Sequence, residues 1–224
     1  YDSAGHPLPA YYDHTYDLDR IETVWLVLSP FGKDWRGPAH SFLSFGFADS
    51  QYVAISMEAR REKGEQYSLW KGMARRYEVI YVIADERDVI RLRTNVWGDE
   101  VYVYPIRASK EKVRQLFVEM LEHANDLHEH PEFYNTLWNN CTTTILHHAN
   151  RVSSTKIPYG RSVLLPGYAD ELAVKLGLIN AEGSVEEVRR RFLVNERARR
   201  FAADPFFSLR IRESSPSPSP SPIS

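Results

Sequence analysis

The feature that most limits the fold of this chain is a run of strand-like segments in its first half. Six segments rich in β-branched, aromatic and other apolar residues are separated by short polar turns or by loops with proline and glycine. They are residues 21–29, 40–47, 51–58, 77–84, 89–94 and 100–105. Because helical patterns dominate the rest, the sequence predicts an α+β fold with a mostly antiparallel sheet.

The clearest helix is predicted for residues 110–129. Its apolar side chains recur on one face with a period of about 3.6 residues, and Ser109 is a suitable N-cap. Further helices are predicted for residues 140–152, for residues 168–176 and after Ser184, which begins a capping box.

Charge and composition exclude several classes of function. Lys and Arg total 28 and Asp and Glu total 30, so the formal net charge is −2 and the chain has no net positive field for nucleic acid. No stretch approaches the roughly 20 apolar residues that span a bilayer. Metal-ligand spacings and nucleotide-binding motifs are also missing, so neither a metal nor a cofactor is predicted.

The chain contains a single cysteine, Cys141, so an intramolecular disulfide is impossible. Asn139 and Asn140 precede it, and because asparagine is a favoured N-cap, Cys141 should lie in the first turn of a helix. Free amides and the helix dipole lower the pKa of a thiol at that position. Together with the polar residues around it, this favours a reactive thiol over a buried structural one.

Among the eight histidines, His40 is the preferred base for Cys141. His147 and His148 follow Cys141 in the same predicted helix, and His148 lies two turns away, too far for a direct hydrogen bond. His40 instead heads a predicted strand after a Gly-Pro loop.

The predicted hairpin also brings a carboxylate to His40. If residues 48–50 form a three-residue turn, Phe47 pairs with Gln51, and His40 falls opposite Glu58 on the same face of the sheet. Glu58 would then orient the imidazole and stabilise its protonated form, as in a catalytic triad. The alternative interpretation is an ordinary His–Glu pair on a sheet surface.

Four segments together resemble a known bacterial family, the Lnb N-terminal periplasmic domain. They are residues 40–45 (HSFLSF), 54–68 (AISMEARREKGEQYS), 84–95 (ADERDVIRLRTN) and 133–144 (FYNTLWNNCTTT). The resemblance to this family covers roughly residues 15–170 of the chain. The third segment contains three arginines, Arg87, Arg91 and Arg93. They could bind a phosphate head group, but pairing with Asp85, Glu86 and Asp88 is favoured.

The resemblance implies lipoprotein N-acyl transfer in the periplasm or cell envelope, with membrane association of the full-length protein. In that reaction an acyl chain moves from a phospholipid to the α-amino group of a lipoprotein's N-terminal cysteine. The resemblance also implies a relation to circularly permuted papain-like thiol enzymes, in which the histidine precedes the cysteine. The expected partners are therefore a phospholipid or lipoprotein substrate and a membrane surface.

In this interpretation Cys141 forms a thioester, His40 moves the proton and Glu58 orients His40. The helix N-terminus would stabilise the oxyanion, with Asn140 or Asn139 either helping or serving only as caps. Two alternatives stay open. One is a cysteine amidase or peptidase of cell-wall peptides, and the other is a non-catalytic binding domain that uses the arginine-rich residues 186–200 and the tail.

Residues 60–76 combine basic side chains with aromatic and other apolar ones. Trp70, Lys71, Arg75 and Arg76 are therefore candidates for docking to an anionic membrane surface. The alternative is a solvated helix with one apolar side in the core.

The sequence pattern and the family resemblance together divide the chain into four parts. Residues 1–18 are predicted to be an extended lead-in and residues 19–177 a papain-like catalytic domain with its catalytic helix on the sheet. Residues 178–212 are predicted to be a C-terminal helical extension, and the Ser/Pro-rich residues 213–224 a disordered tail. Because the chain begins at Tyr1 rather than Met, an N-terminal portion is expected to precede it.

Overall fold

A computed structural model describes residues 11–32, 37–60, 77–136, 138–179 and 181–213. Its centre is a five-stranded sheet in the order β4-β3-β2-β1-β5, with every neighbouring pair antiparallel. The strands are β1 (Ile21–Pro30), β2 (Ala39–Phe47), β3 (Tyr52–Arg60), β4 (Glu78–Ala84) and β5 (Tyr102–Pro105). The predicted α+β class and antiparallel sheet are confirmed.

Eight helices accompany the sheet within the described ranges. They are α1 (Arg87–Trp97), α2 (Lys110–Glu129), α3 (Cys141–Val152), α4 (Arg161–Leu164), α5 (Ala169–Lys175), α6 (Val185–Phe192), α7 (Asn195–Arg200) and α8 (Phe207–Arg210). Short 3₁₀ turns occupy Leu18–Arg20, Ala48–Ser50 and Pro166–Tyr168. The predicted bounds of α2 and its Ser109 cap are confirmed.

The hairpin β2–β3 has the predicted register. Phe47 donates its N–H to the carbonyl of Gln51, and Leu43 pairs with Ile55. The turn is tight because Asp49 and Ser50 both adopt left-handed backbone conformations, with φ of 66° and 64°. This register places the side chains of His40 and Glu58 on one face.

Helices cover both faces of the sheet. One face presents Leu26, Phe45 and Ile55 to a core that includes Phe117 of α2 and Phe192 of α6. The other face presents a second apolar cluster, built from strand residues and from α1, α7 and α8. That cluster contains Trp25, Val27, Phe42, Ala54, Ile90, Ala198, Phe207 and Ile211.

Residues beyond 178 are part of this architecture. Helices α7 and α8 complete the second core, and the carbonyl of Val101 accepts a hydrogen bond from the amide of Val194. Residues 178–212 therefore contribute to burying the second face of the sheet.

The strand predicted for residues 89–94 is wrong, because these residues lie in α1, which is wound as a π-helix. The alternating sequence suggested a strand, but the buried residues are Val89, Ile90, Arg93 and Thr94, which is a helical spacing. Arg93 is a charged residue that is nevertheless buried, beside a carboxylate on β3 that compensates its charge. Tertiary contacts therefore override the local pattern.

Candidate active site

Cys141 is the first residue of α3, as the asparagines before it predict. The side-chain oxygen of Asn140 accepts the amides of Thr142 and Thr143 at 2.9 Å each. Thr143 completes a capping box by accepting the amide of Asn140 at 2.8 Å. The helix therefore starts at a fixed point, which fixes the position of the thiol.

The sheet opens where Cys141 approaches it. The β2–β3 ladder ends at the pair Leu43 and Ile55, although β2 extends back to Ala39 and β3 continues to Arg60. Helix α3 packs against both strands. Cys141 is 5% exposed, and the backbone N–H and hydroxyl of Ser41 both interact with its sulfur.

His40 joins the thiol to a carboxylate. Its Nε2 lies 2.7 Å from the Oγ of Ser56 and 3.0 Å from Oε1 of Glu58. Ser56 donates its hydroxyl to the same Oε1 at 2.9 Å, so Nε2 is the donor to both groups. His40 also lies close enough to Cys141 to act on the pKa of its thiol, whose Sγ lies 3.9 Å from the carbonyl of Ala39 and 3.9 Å from the hydroxyl of Thr142. The structure thus brings Cys141, His40 and Glu58 together.

The protonation of these groups is strongly shifted. Burial alone would raise the pKa of the Cys141 thiol, but His40 and Ser41 outweigh burial and lower it to about 7. Burial alone would lower the pKa of His40, but Glu58 and Cys141 raise it to about 9. Burial opposes ionisation of Glu58 as well, and His40 and Arg93 lower its pKa to about 2. Between roughly pH 7 and pH 9 the site therefore favours a thiolate–imidazolium pair.

Besides Ser41, two side chains of the site were missed by the sequence prediction. Ser56 is fully buried between His40 and Glu58, and the strand alternation that selected Glu58 also places Ser56 on its face. Arg93 donates Nη2 to Oε1 of Glu58 at 3.3 Å. The expected pairing of Arg93 with its acidic sequence neighbours is wrong, since its carboxylate partner lies on β3.

The two asparagines suggested for the oxyanion have other contacts. Asn139 donates its amide group to Glu132 and to the carbonyl of Phe133. Asn140 caps α3 and donates to the carbonyl of Thr136 at 2.7 Å. These contacts favour their alternative role as local structural residues.

The other predicted positions lie away from this arrangement or outside the description. His148 is buried and bonds the hydroxyl of Tyr81 at 2.7 Å, while burial and neighbouring cations lower its pKa to about 3. Trp70, Lys71, Arg75 and Arg76 lie outside the described residues, as do residues 1–10 of the lead-in and residues 214–224 of the tail. Within the described residues, no group of three or more His, Cys, Asp or Glu side chains could hold a metal ion.

The geometry alone does not show to which protein family the chain belongs, so we compared its sequence with known families. The Lnb N-terminal periplasmic domain family matches residues 8–166. The chain belongs to this family. Comparison with curated proteins and with solved structures found no match.

The family match contains all the residues of the site, including Ser41, Ser56 and Arg93. It also supports a periplasmic location for the domain. No helix among the described residues is both long enough and apolar enough to cross a membrane. Helices α5 to α8 follow the matched region, although they complete both cores.

The shifted pKa of Cys141 gives the first prediction. In the folded protein, alkylation by iodoacetamide should reach half its maximal rate near pH 7, because His40 and Ser41 stabilise the thiolate. The same chain in denaturant should titrate near the ordinary cysteine value of about 8.5. Since Cys141 is the only cysteine, intact mass reports its modification alone. Equal midpoints in both states would contradict a perturbed thiol.

Proposed function

We propose that this domain is a thiol-dependent acyltransferase or hydrolase that acts on acyl groups of phospholipids or lipoproteins in the bacterial envelope. The observation that carries the proposal is the contact of Cys141 with His40, whose Nε2 lies 3.0 Å from Glu58. A relation to circularly permuted papain-like enzymes is part of the proposal, and the order of His40 before Cys141 supports it.

The proposed reaction begins when the thiolate of Cys141 attacks an ester carbonyl carbon. A carbon–sulfur bond forms, the ester carbon–oxygen bond breaks, and the leaving alcohol takes the proton that His40 holds. An amine, or water, then attacks the thioester while His40 removes its proton. The products are an amide or a carboxylic acid, and Cys141 is regenerated.

The helix N-terminus suits the oxyanion in both steps. The amides of Thr142 and Thr143 donate to Asn140 and are not free. Among the described residues, none accepts a hydrogen bond from the amide of Cys141 itself. We therefore assign that amide as an oxyanion donor, at the positive end of the α3 dipole.

Exposed apolar rings near this end of the sheet support a lipid substrate. Trp138 is 65% exposed and lies three residues before Cys141, and Trp97 is 55% exposed and stacks on Arg93. Phe31 is also exposed and directly follows Pro30, which pairs with Ala39. Docking of residues 60–76 to an anionic membrane belongs to the same proposal.

Intact mass of the protein after incubation with mixed phospholipid vesicles tests this function. We expect an added acyl mass on the wild-type protein that hydroxylamine removes, because hydroxylamine cleaves thioesters. Absence of the adduct, combined with release of peptides from purified peptidoglycan, would favour a cysteine amidase instead. Absence of both, with an unreactive Cys141, would indicate a non-catalytic binding domain.

A further inference from the structure

The carboxylate of Glu58 is held by more than the imidazole. Its Oε1 receives three donors: His40 Nε2 at 3.0 Å, Ser56 Oγ at 2.9 Å and Arg93 Nη2 at 3.3 Å. A single oxygen with three donors is fixed in position. Arg93 alone among these donors brings a permanent charge.

Arg93 is itself locked in place from four sides. Its Nη1 donates to the carbonyl of Val89 at 2.8 Å, one turn back in α1. The guanidinium carbon lies 5.3 Å from the ring centroids of both Phe42 and Trp97, a cation–π distance for each ring. With Glu58 as the fourth contact, a side chain only 6% exposed has little freedom to move.

The π-helical winding of α1 is relevant to this placement. Such helices are rare and recur at functional sites. In α1 the buried positions include Arg93, which reaches across to β3, whereas Arg91 on the same helix is only partly buried. Helix α1 therefore places the guanidinium of Arg93, and not that of Arg91, against Glu58.

We propose that Arg93 is a positioning residue that holds Glu58 against His40 and supplies the buried positive charge that balances this carboxylate. Together with Glu58 it forms a neutral pair beside the thiolate and imidazolium of Cys141 and His40. Without Arg93 the three remaining groups would carry a net negative charge in a buried site. Besides Glu58, the acidic groups whose charge acts on Arg93 are Asp99, which lies just after α1, and Cys141.

The loss of Arg93 should change a measurable quantity, the pKa of the Cys141 thiol. Removing a cation close to a titrating group raises its pKa, so loss of Arg93 disfavours the thiolate of Cys141. A purely structural arginine would lower the melting temperature and leave the pH profile of Cys141 in the folded protein unchanged. The inference rests on the proposed role of Cys141 as nucleophile but not on the identity of the acyl donor.

The test is the pH profile of Cys141 alkylation by iodoacetamide in the full chain. In Arg93→Met the midpoint should rise by at least about one pH unit, with roughly tenfold slower alkylation at pH 6. Arg93→Lys keeps the charge without the planar fork and should recover most of that rate. Arg91→Met, on the same helix, is the matched control and should behave as wild type.

Trp97→Ala keeps the inference testable if Arg93→Met does not fold. This exposed ring can be removed without opening a core, and loosening the guanidinium should slow alkylation about threefold at pH 6. A wild-type profile in folded Arg93→Met, or in Trp97→Ala if Arg93→Met does not fold, would overturn the role of Arg93. A wild-type protein without a midpoint near pH 7 would instead overturn the proposed nucleophile.

Discussion

Replacing Cys141 by alanine should abolish the hydroxylamine-sensitive acyl adduct and reduce lipid turnover by at least about 10³-fold. The thiolate is the only group of the protein that bonds to the acyl carbon in the proposed reaction. The measurement is intact mass after incubation with phospholipid vesicles, followed by quantification of released lysophospholipid.

The fold of Cys141→Ala should be retained, since alanine fills most of the same buried space at the start of α3. Circular dichroism and the melting temperature check this point. His147→Ala is the matched control, because His147 is exposed on the same helix and should leave adduct formation intact. Turnover at the wild-type rate in folded Cys141→Ala would exclude thiol catalysis.

Replacing Arg212 by methionine should lower the free energy of unfolding by about 3–5 kcal/mol, because it leaves a buried carboxylate without its partner. Glu86 is fully buried, and Nη1 of Arg212 lies 2.8 Å from its Oε2. Ser44 donates its hydroxyl to the same carboxylate. The guanidinium also contacts the rings of Trp25 and Tyr52, at 4.7 Å and 4.1 Å from the ring centroids.

Urea unfolding of Arg212→Met measures this loss. The control is Arg210→Met, which removes exposed contacts with Asp204 and Glu213 and should cost less than about 1 kcal/mol. The double variant Glu86→Leu/Arg212→Met removes both charges and should recover much of the stability. If Arg212→Met costs no more than Arg210→Met, the C-terminal segment is not anchored by this pair.

Arg212 therefore connects a segment beyond the family match to its centre. Glu86 lies within residues 84–95, whose resemblance to the family helped to suggest the assignment, whereas Arg212 lies well past residue 166. Nothing in the sequence pairs two residues separated by 126 positions. The predicted boundary before residue 178 follows a change in sequence pattern. In the structure, residues on both sides of this boundary bury the second face of the sheet.

Local chemistry explains why much of the site could be predicted from the sequence. The contact of His40 with Glu58 follows from turn length and from the two-residue period of a strand, both contained within residues 40–58. The start of α3 follows from the capping chemistry of Asn140. Each of these features depends on residues that are close together in the chain.

The sequence by itself determined the β2–β3 register, the position of Cys141 at a helix start and the pairing of His40 with Glu58. Only the tertiary structure decided that β2 and β3 separate to admit the thiol, that residues 87–97 wind into a helix, and that Arg93 completes the charge balance. These features join Ser41 with Thr142 across 101 positions and Glu58 with Arg93 across 35. These contacts are stabilised by burial and by pairing between segments that are distant in the chain, and no local sequence pattern encodes them.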